Sequence, residues 1–179
     1  MKRSMVSLGL ILAVCSVLFA QGQAPKMNLL LGVWKQNVAK STYSPGPPLP
    51  SGLSSVRQYI AGDNGAIVAI TFNLFVPGEL PSLGAISVAN YDGKEYPQLT
   101  VATLVTSLAS HIAPEVTRTI SYTPVDLYTV EIVQKENGKV VSRSTRTISQ
   151  DGKTLTERFH YTNAEEQLVT NVLVFEKQR

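Results

Sequence analysis

Apolar and polar residues alternate along the second half of the chain in five stretches that read as β-strands: residues 116–122, 127–135, 139–149, 154–162 and 168–176. A period of two places one face of a strand against a core and the other in water. Asn137-Gly138 and Asp151-Gly152 join three of these stretches as two-residue hairpins, because both turn positions tolerate positive φ. Upstream, strands are expected at 33–38, 56–61, 66–76 and 85–91, with Gly62-Asp63-Asn64-Gly65 turning between the second and third. Asn28 can cap a short turn over 29–31 ahead of the first strand. Residues 39–55 and 77–84 are rich in Pro, Gly and Ser and read as loops, since each proline removes a ladder donor.

Residues 96–113 carry two conflicting signals. Leu99, Val101, Leu104, Val105, Leu108 and Ile112 have mainly helical spacing, whereas the Thr and Val content favours a strand. The spacing predicts a helix that breaks before Pro114. No strand–helix–strand rhythm runs through the chain, so a parallel sheet is not expected. An antiparallel meander of eight to ten strands should close on itself or fold into a sandwich to hide its edges.

The N-terminus changes the composition that matters. Lys2 and Arg3 precede an apolar run from residue 5 to Ala20, followed by small and polar residues and Pro25. This is the layout of a secretory signal peptide over residues 1–20, too short for a comfortable membrane span. It predicts an exported protein, periplasmic or extracellular, with one domain over 21–179. Leu12-Ala13-Val14-Cys15 loosely matches a lipoprotein-processing site, but Val14 is bulky there and the apolar run continues past it. Cys15 is the chain's one cysteine, so the mature protein would have no disulfide, thiolate nucleophile or cysteine metal site. Without Lys2 and Arg3, 14 basic residues face 13 acidic ones, a net charge of +1. That balance gives no electrostatic case for nucleic acid or an anionic membrane.

The block LLGVWKQNVAKSTYSPGPPLP (residues 30–50) contains Gly32 and Trp34, the only tryptophan. With YDGKEYP (91–97), QDGKTLT (150–156) and the terminal VFEKQR, it resembles a group of secreted bacterial lipocalin-like proteins, mostly of unassigned function. Gly32-Val33-Trp34 is similar to the G-x-W opening of lipocalins. The resemblance implies an antiparallel up-and-down barrel, with Gly32 allowing close backbone approach and Trp34 plugging one end. It also implies a basic residue stacked over the tryptophan, for which Arg179 is the nearest counterpart and Lys177 the next. The T-D-Y motif of true lipocalins is absent.

Chemistry is sparse. The two histidines, His111 and His160, lack metal-site spacing, and no nucleophile elbow, phosphate loop or dinucleotide fingerprint is present. No cofactor or metal is expected. Glu165-Glu166 reads as a solvated turn pair. One constellation survives strand arithmetic. With both Asn-Gly and Asp-Gly turns two residues long, Glu131 falls opposite Ser144, Thr129 opposite Arg146, and Arg146 opposite Glu157. Their face also carries Leu127, Val133, Val140, Ile148, Leu155, Phe159 and Tyr161; the other face carries Arg158 and His160. Glu131, Arg146 and Glu157 should therefore point inward, where a charge must be paired or face a wet cavity. They form either a structural Glu–Arg–Glu network or, with Tyr161, the polar anchor of a ligand cavity.

Two functions from different classes fit these features. One is a monomeric binding module for a small apolar or amphipathic molecule. The other is a structural or protein-interaction barrel with a filled core. A cofactor-free hydrolase or isomerase using carboxylates is a third, without a supporting motif. Charges on both strand faces argue against an outer-membrane barrel.

Overall fold

The computed structural model of the protein describes residues 27–44, 54–74, 82–100, 117–162 and 166–179. The expected signal peptide with Cys15, residues 101–116 with His111, and Glu165 lie outside them. Ten strands form a closed antiparallel barrel: β1 Gly32–Gln36, β2 Ser54–Ala61, β3 Ile67–Leu74, β4 Ser82–Ala89, β5 Glu95–Thr100, β6 Arg118–Pro124, β7 Thr129–Glu136, β8 Lys139–Ile148, β9 Thr154–Thr162 and β10 Leu168–Lys177. Each strand pairs with its neighbours in sequence, and β1 closes the ring against β10, with Trp34 opposite Lys177. The up-and-down meander read from the sequence is the fold, and closure gives each of the ten strands a paired neighbour on both sides.

Local chemistry sets the elements. Between β2 and β3, Asn64 and Gly65 both take positive φ (55° and 79°), as the Asn-Gly pair suggested. Asn137 and Gly138 do the same between β7 and β8. A single helical turn, α1 (Met27–Leu30), precedes β1 and includes Asn28 rather than being capped by it. Asn37 caps a short 3-10 turn at Val38–Lys40 through its side chain. Beyond that turn, Thr42 bridges Val172, laying this part of the expected loop along β10.

The helical expectation for 96–113 is corrected at its start. Residues 95–100 are strand β5, paired with β4 and β6. Their burial alternates residue by residue, and Leu99, counted towards a helical stripe, faces outward at 46 % exposure. Two flanking strands that needed a partner outweighed a loose helical spacing.

Two apolar clusters fill part of the barrel. One seals an end: Leu30, Trp34, Tyr59, Ile67, Ile148, Leu155 and Phe175. Trp34 is fully buried and donates from Nε1 to the Leu30 carbonyl at 2.7 Å, which ties α1 across the opening. Lys177, not Arg179, stacks over the Trp34 ring at 5.2 Å, and its Nζ donates to the Leu29 carbonyl. Gly32 holds φ of +121°, and a Cβ there would lie 3.1 Å from Lys177 Cε. The second cluster, Ala89, Ile120, Tyr122, Val130 and Ile132, lies along β4, β6 and β7. Tyr91 packs against both clusters.

Candidate functional site

The interior is not closed by hydrocarbon alone. Arg57 on β2, Arg146 on β8 and Glu157 on β9 all point inward, and each is at least nine-tenths buried. Arg146 and Glu157 face each other across β8 and β9, in the register that the Asp151-Gly152 turn sets. Glu157 is the hub. Its Oε2 accepts from Arg146 Nε at 3.1 Å and from Arg57 Nη1, and its Oε1 accepts from Ser144 Oγ at 3.2 Å. Arg146 Nη1 also donates to the Tyr91 hydroxyl at 3.1 Å.

Aromatic rings flank both guanidiniums. Arg57 lies 4.3 Å from the centre of Phe175, and Arg146 lies 5.0 Å from Tyr59 and 5.6 Å from Tyr122. Tyr91 and Tyr122 stack at 4.5 Å, and the Tyr122 hydroxyl is 3.3 Å from Ser87 Oγ. The negative face of a π-system stabilises a desolvated cation, so these rings partly replace the water the arginines lost.

Burial favours the neutral form of Glu157, but the charges and hydrogen bonds of Arg146 and Arg57 prevail and hold its carboxyl below the ordinary value. Burial works against the Arg146 cation as well, and Glu157 and the nearby tyrosines more than offset it. Burial raises the Tyr91 hydroxyl well above the ordinary tyrosine range, so Tyr91 is neutral here. Arg57, Arg146 and Glu157 therefore stay ionised at neutral pH.

A cavity of about 230 Å³ lies in the barrel beside this cluster. Among the described residues, Arg57, Arg146 and Glu157 are its only charged lining residues, set among Tyr59, Tyr122, Ile120, Ile132, Phe159 and neutral polar side chains. The sequence-derived candidates are divided by the fold. Arg146 and Glu157 line the cavity. Glu131 does not: it is exposed and pairs with Arg143 at 3.5 Å on the outer surface. The cause is a β-bulge. Gln134 pairs with Ser142 but Lys135 with Val140, so Val141 is an extra residue on β8. The Asn137-Gly138 turn is as expected, yet beyond the bulge every pairing slips by one. Glu131 faces Thr145, and Val130 and Ile132 turn inward instead. Tyr161 is 37 % exposed and does not line the cavity.

Arg57, Tyr91 and Tyr122 were missed. In β2 the apolar Val56 and Ile60 share the outward face, and Arg57 and Tyr59 share the inward one, so hydrophobicity pointed the wrong way. The alternation of Arg57 with Tyr59 was the available signal. Among the described residues, no group of three or more His, Cys, Asp or Glu side chains forms a metal site, and no helix is long and apolar enough to cross a membrane.

No family model and no curated protein matches the chain. Among solved structures it is similar to the zebrafish ileal bile acid-binding protein in complex with cholic acid. The TM-score is 0.49 at 13 % identity, covering 84 % of this chain and 99 % of that one.

Proposed function

We propose that this protein is an exported, lipocalin-like, monomeric binding module that holds a small amphipathic molecule inside its barrel. One observation carries the reading: the barrel core contains a cavity, and ionised side chains line it. Buried charge without a partner is costly, and a polar cavity wall gives it something to contact. The basic and apolar N-terminal run supports export, and the G-x-W block with the DGK motifs supports kinship with the secreted lipocalin-like group.

The size of the cavity bounds the ligand. At about 230 Å³ the cavity lies below the roughly 300–1,000 Å³ of usual small-molecule sites. The bound part of the molecule is therefore small. That same modest volume favours the rival, a structural barrel whose Arg–Glu–Arg cluster is only an internal brace.

Native mass spectrometry of protein purified from its own host separates the two. The binding reading expects a mass increment that is lost on denaturation. A bare polypeptide mass, together with no shift in thermal stability across a library of small amphiphiles, leaves the structural barrel.

A further inference from the structure

We infer that the interior site selects an anion: a small molecule with a carboxylate or similar acidic head group, seated against Arg57 and Arg146. The inference rests on the binding-module reading above and adds the charge of the ligand to it.

Among the described residues, the cavity lining holds two guanidiniums and one carboxylate, a net charge of +1. Glu157 is already committed to both arginines and to Ser144. The arginines are not equally served. Arg146 is bound by Glu157 and Tyr91 and lies between Tyr59 and Tyr122. Arg57 lies over Phe175 and near Phe159 and bonds Glu157 through Nη1, but its Nε is buried with no hydrogen-bond partner. An N–H of a charged group withdrawn from water and left unpaired is unfavourable, and native structures rarely keep one without a reason. The unpaired Nε has almost no accessible surface, but Arg57 and Arg146 both line the cavity and share the surplus charge. A carboxylate fits this lining: it neutralises the excess, and its two oxygens suit the planar fork of a guanidinium. A neutral head group would accept a hydrogen bond but leave the charge, and a cation would add to it. The apolar part of the ligand would lie along Ile120, Ile132 and Phe159.

The test is calorimetric titration of the full-length protein with three probes of one chain length: hexanoate, hexan-1-ol and hexylammonium. Hexanoate is expected to bind at least tenfold tighter than hexan-1-ol, and hexylammonium not measurably. Arg57→Gln makes the cluster neutral while keeping the Arg146–Glu157 pair. It should weaken hexanoate at least tenfold and leave hexan-1-ol within about twofold, whereas a merely structural role for Arg57 would weaken both alike. Hexan-1-ol binding as tightly as hexanoate to the wild-type protein overturns the anion inference and leaves the binding module standing. Failure of all three probes, with no mass increment on the purified protein, removes the binding module itself.

Discussion

The sealed end of the barrel and the chamber beside it are built from the same ten strands, yet they solve opposite problems. At the sealed end, Trp34, Phe175 and Leu155 are fully buried and α1 is drawn across the opening by the Trp34–Leu30 hydrogen bond. Its polar groups are few and each serves the seal, as Lys177 does between Trp34 and Leu29. In the chamber, three ionised side chains and their tyrosines occupy positions that apolar residues could have filled. Buried ion pairs are often no more stable than the hydrocarbon that could replace them. The seal is therefore explained by stability, and the chamber needs another explanation, which the proposed ligand recognition would supply.

That contrast can be broken most directly at Glu157. Glu157→Ala strands two buried arginines and should cost about 3–5 kcal/mol in urea unfolding. A loss below about 1 kcal/mol would mean that water reaches the cluster freely and that the chamber is not a distinct environment. Acid acts on the same group. The Glu157 carboxyl is held below its ordinary value of 4.5, so its contribution is fully present above that pH. It is lost as pH falls through the depressed folded value. Stability followed by circular dichroism should accordingly decline below pH 4.5 in the wild-type protein, with less decline in Glu157→Gln.

At the sealed end, Gly32→Ala places a Cβ against Lys177 Cε on a backbone that L residues rarely adopt. It should cost about 1–3 kcal/mol while leaving hexanoate affinity unchanged. A change in affinity would show that the two regions are coupled. The smallest effect belongs to the outer surface. Arg143→Ala breaks the exposed pair with Glu131 and should shift stability by less than about 1 kcal/mol. A larger loss there would undo the distinction between inner and outer ion pairs.

Glu131 and Glu157 also mark what the sequence could tell. Turn chemistry and alternation gave the meander and the facing pair Arg146–Glu157, because these follow from local rules that the chain states openly; they left barrel and sandwich open, and it was the lipocalin resemblance that implied a barrel. The position of Glu131 depended on one extra residue, Val141, in the middle of a strand. A bulge leaves the alternation on either side intact and announces itself by no particular residue type here. Arg57 was illegible for a different reason. Its inward face is the more polar face of β2, so the usual preference for burying Val and Ile runs against the fold. Both misreadings fall at or beside the ionised chamber, where local rules give way to the needs of an interior that is not wholly apolar. The start of β5 was misread because partner strands, rather than its own residues, decide its conformation.

The seam between β1 and β10 also has a kinetic meaning. Every other strand pair joins neighbours in the chain, but Trp34 meets Lys177 only when the first and last strands come together. Bringing such distant segments together requires the largest loop closure in the molecule, and non-local pairing is intrinsically slow. The single tryptophan sits on that seam, so its fluorescence reports ring closure together with the β1–β2 pairing on its other side, and not the hairpins of β3 to β9. In stopped-flow refolding, the far-ultraviolet signal of the hairpins should be gained before the tryptophan signal. Coincident traces would mean that the ring closes as the hairpins form.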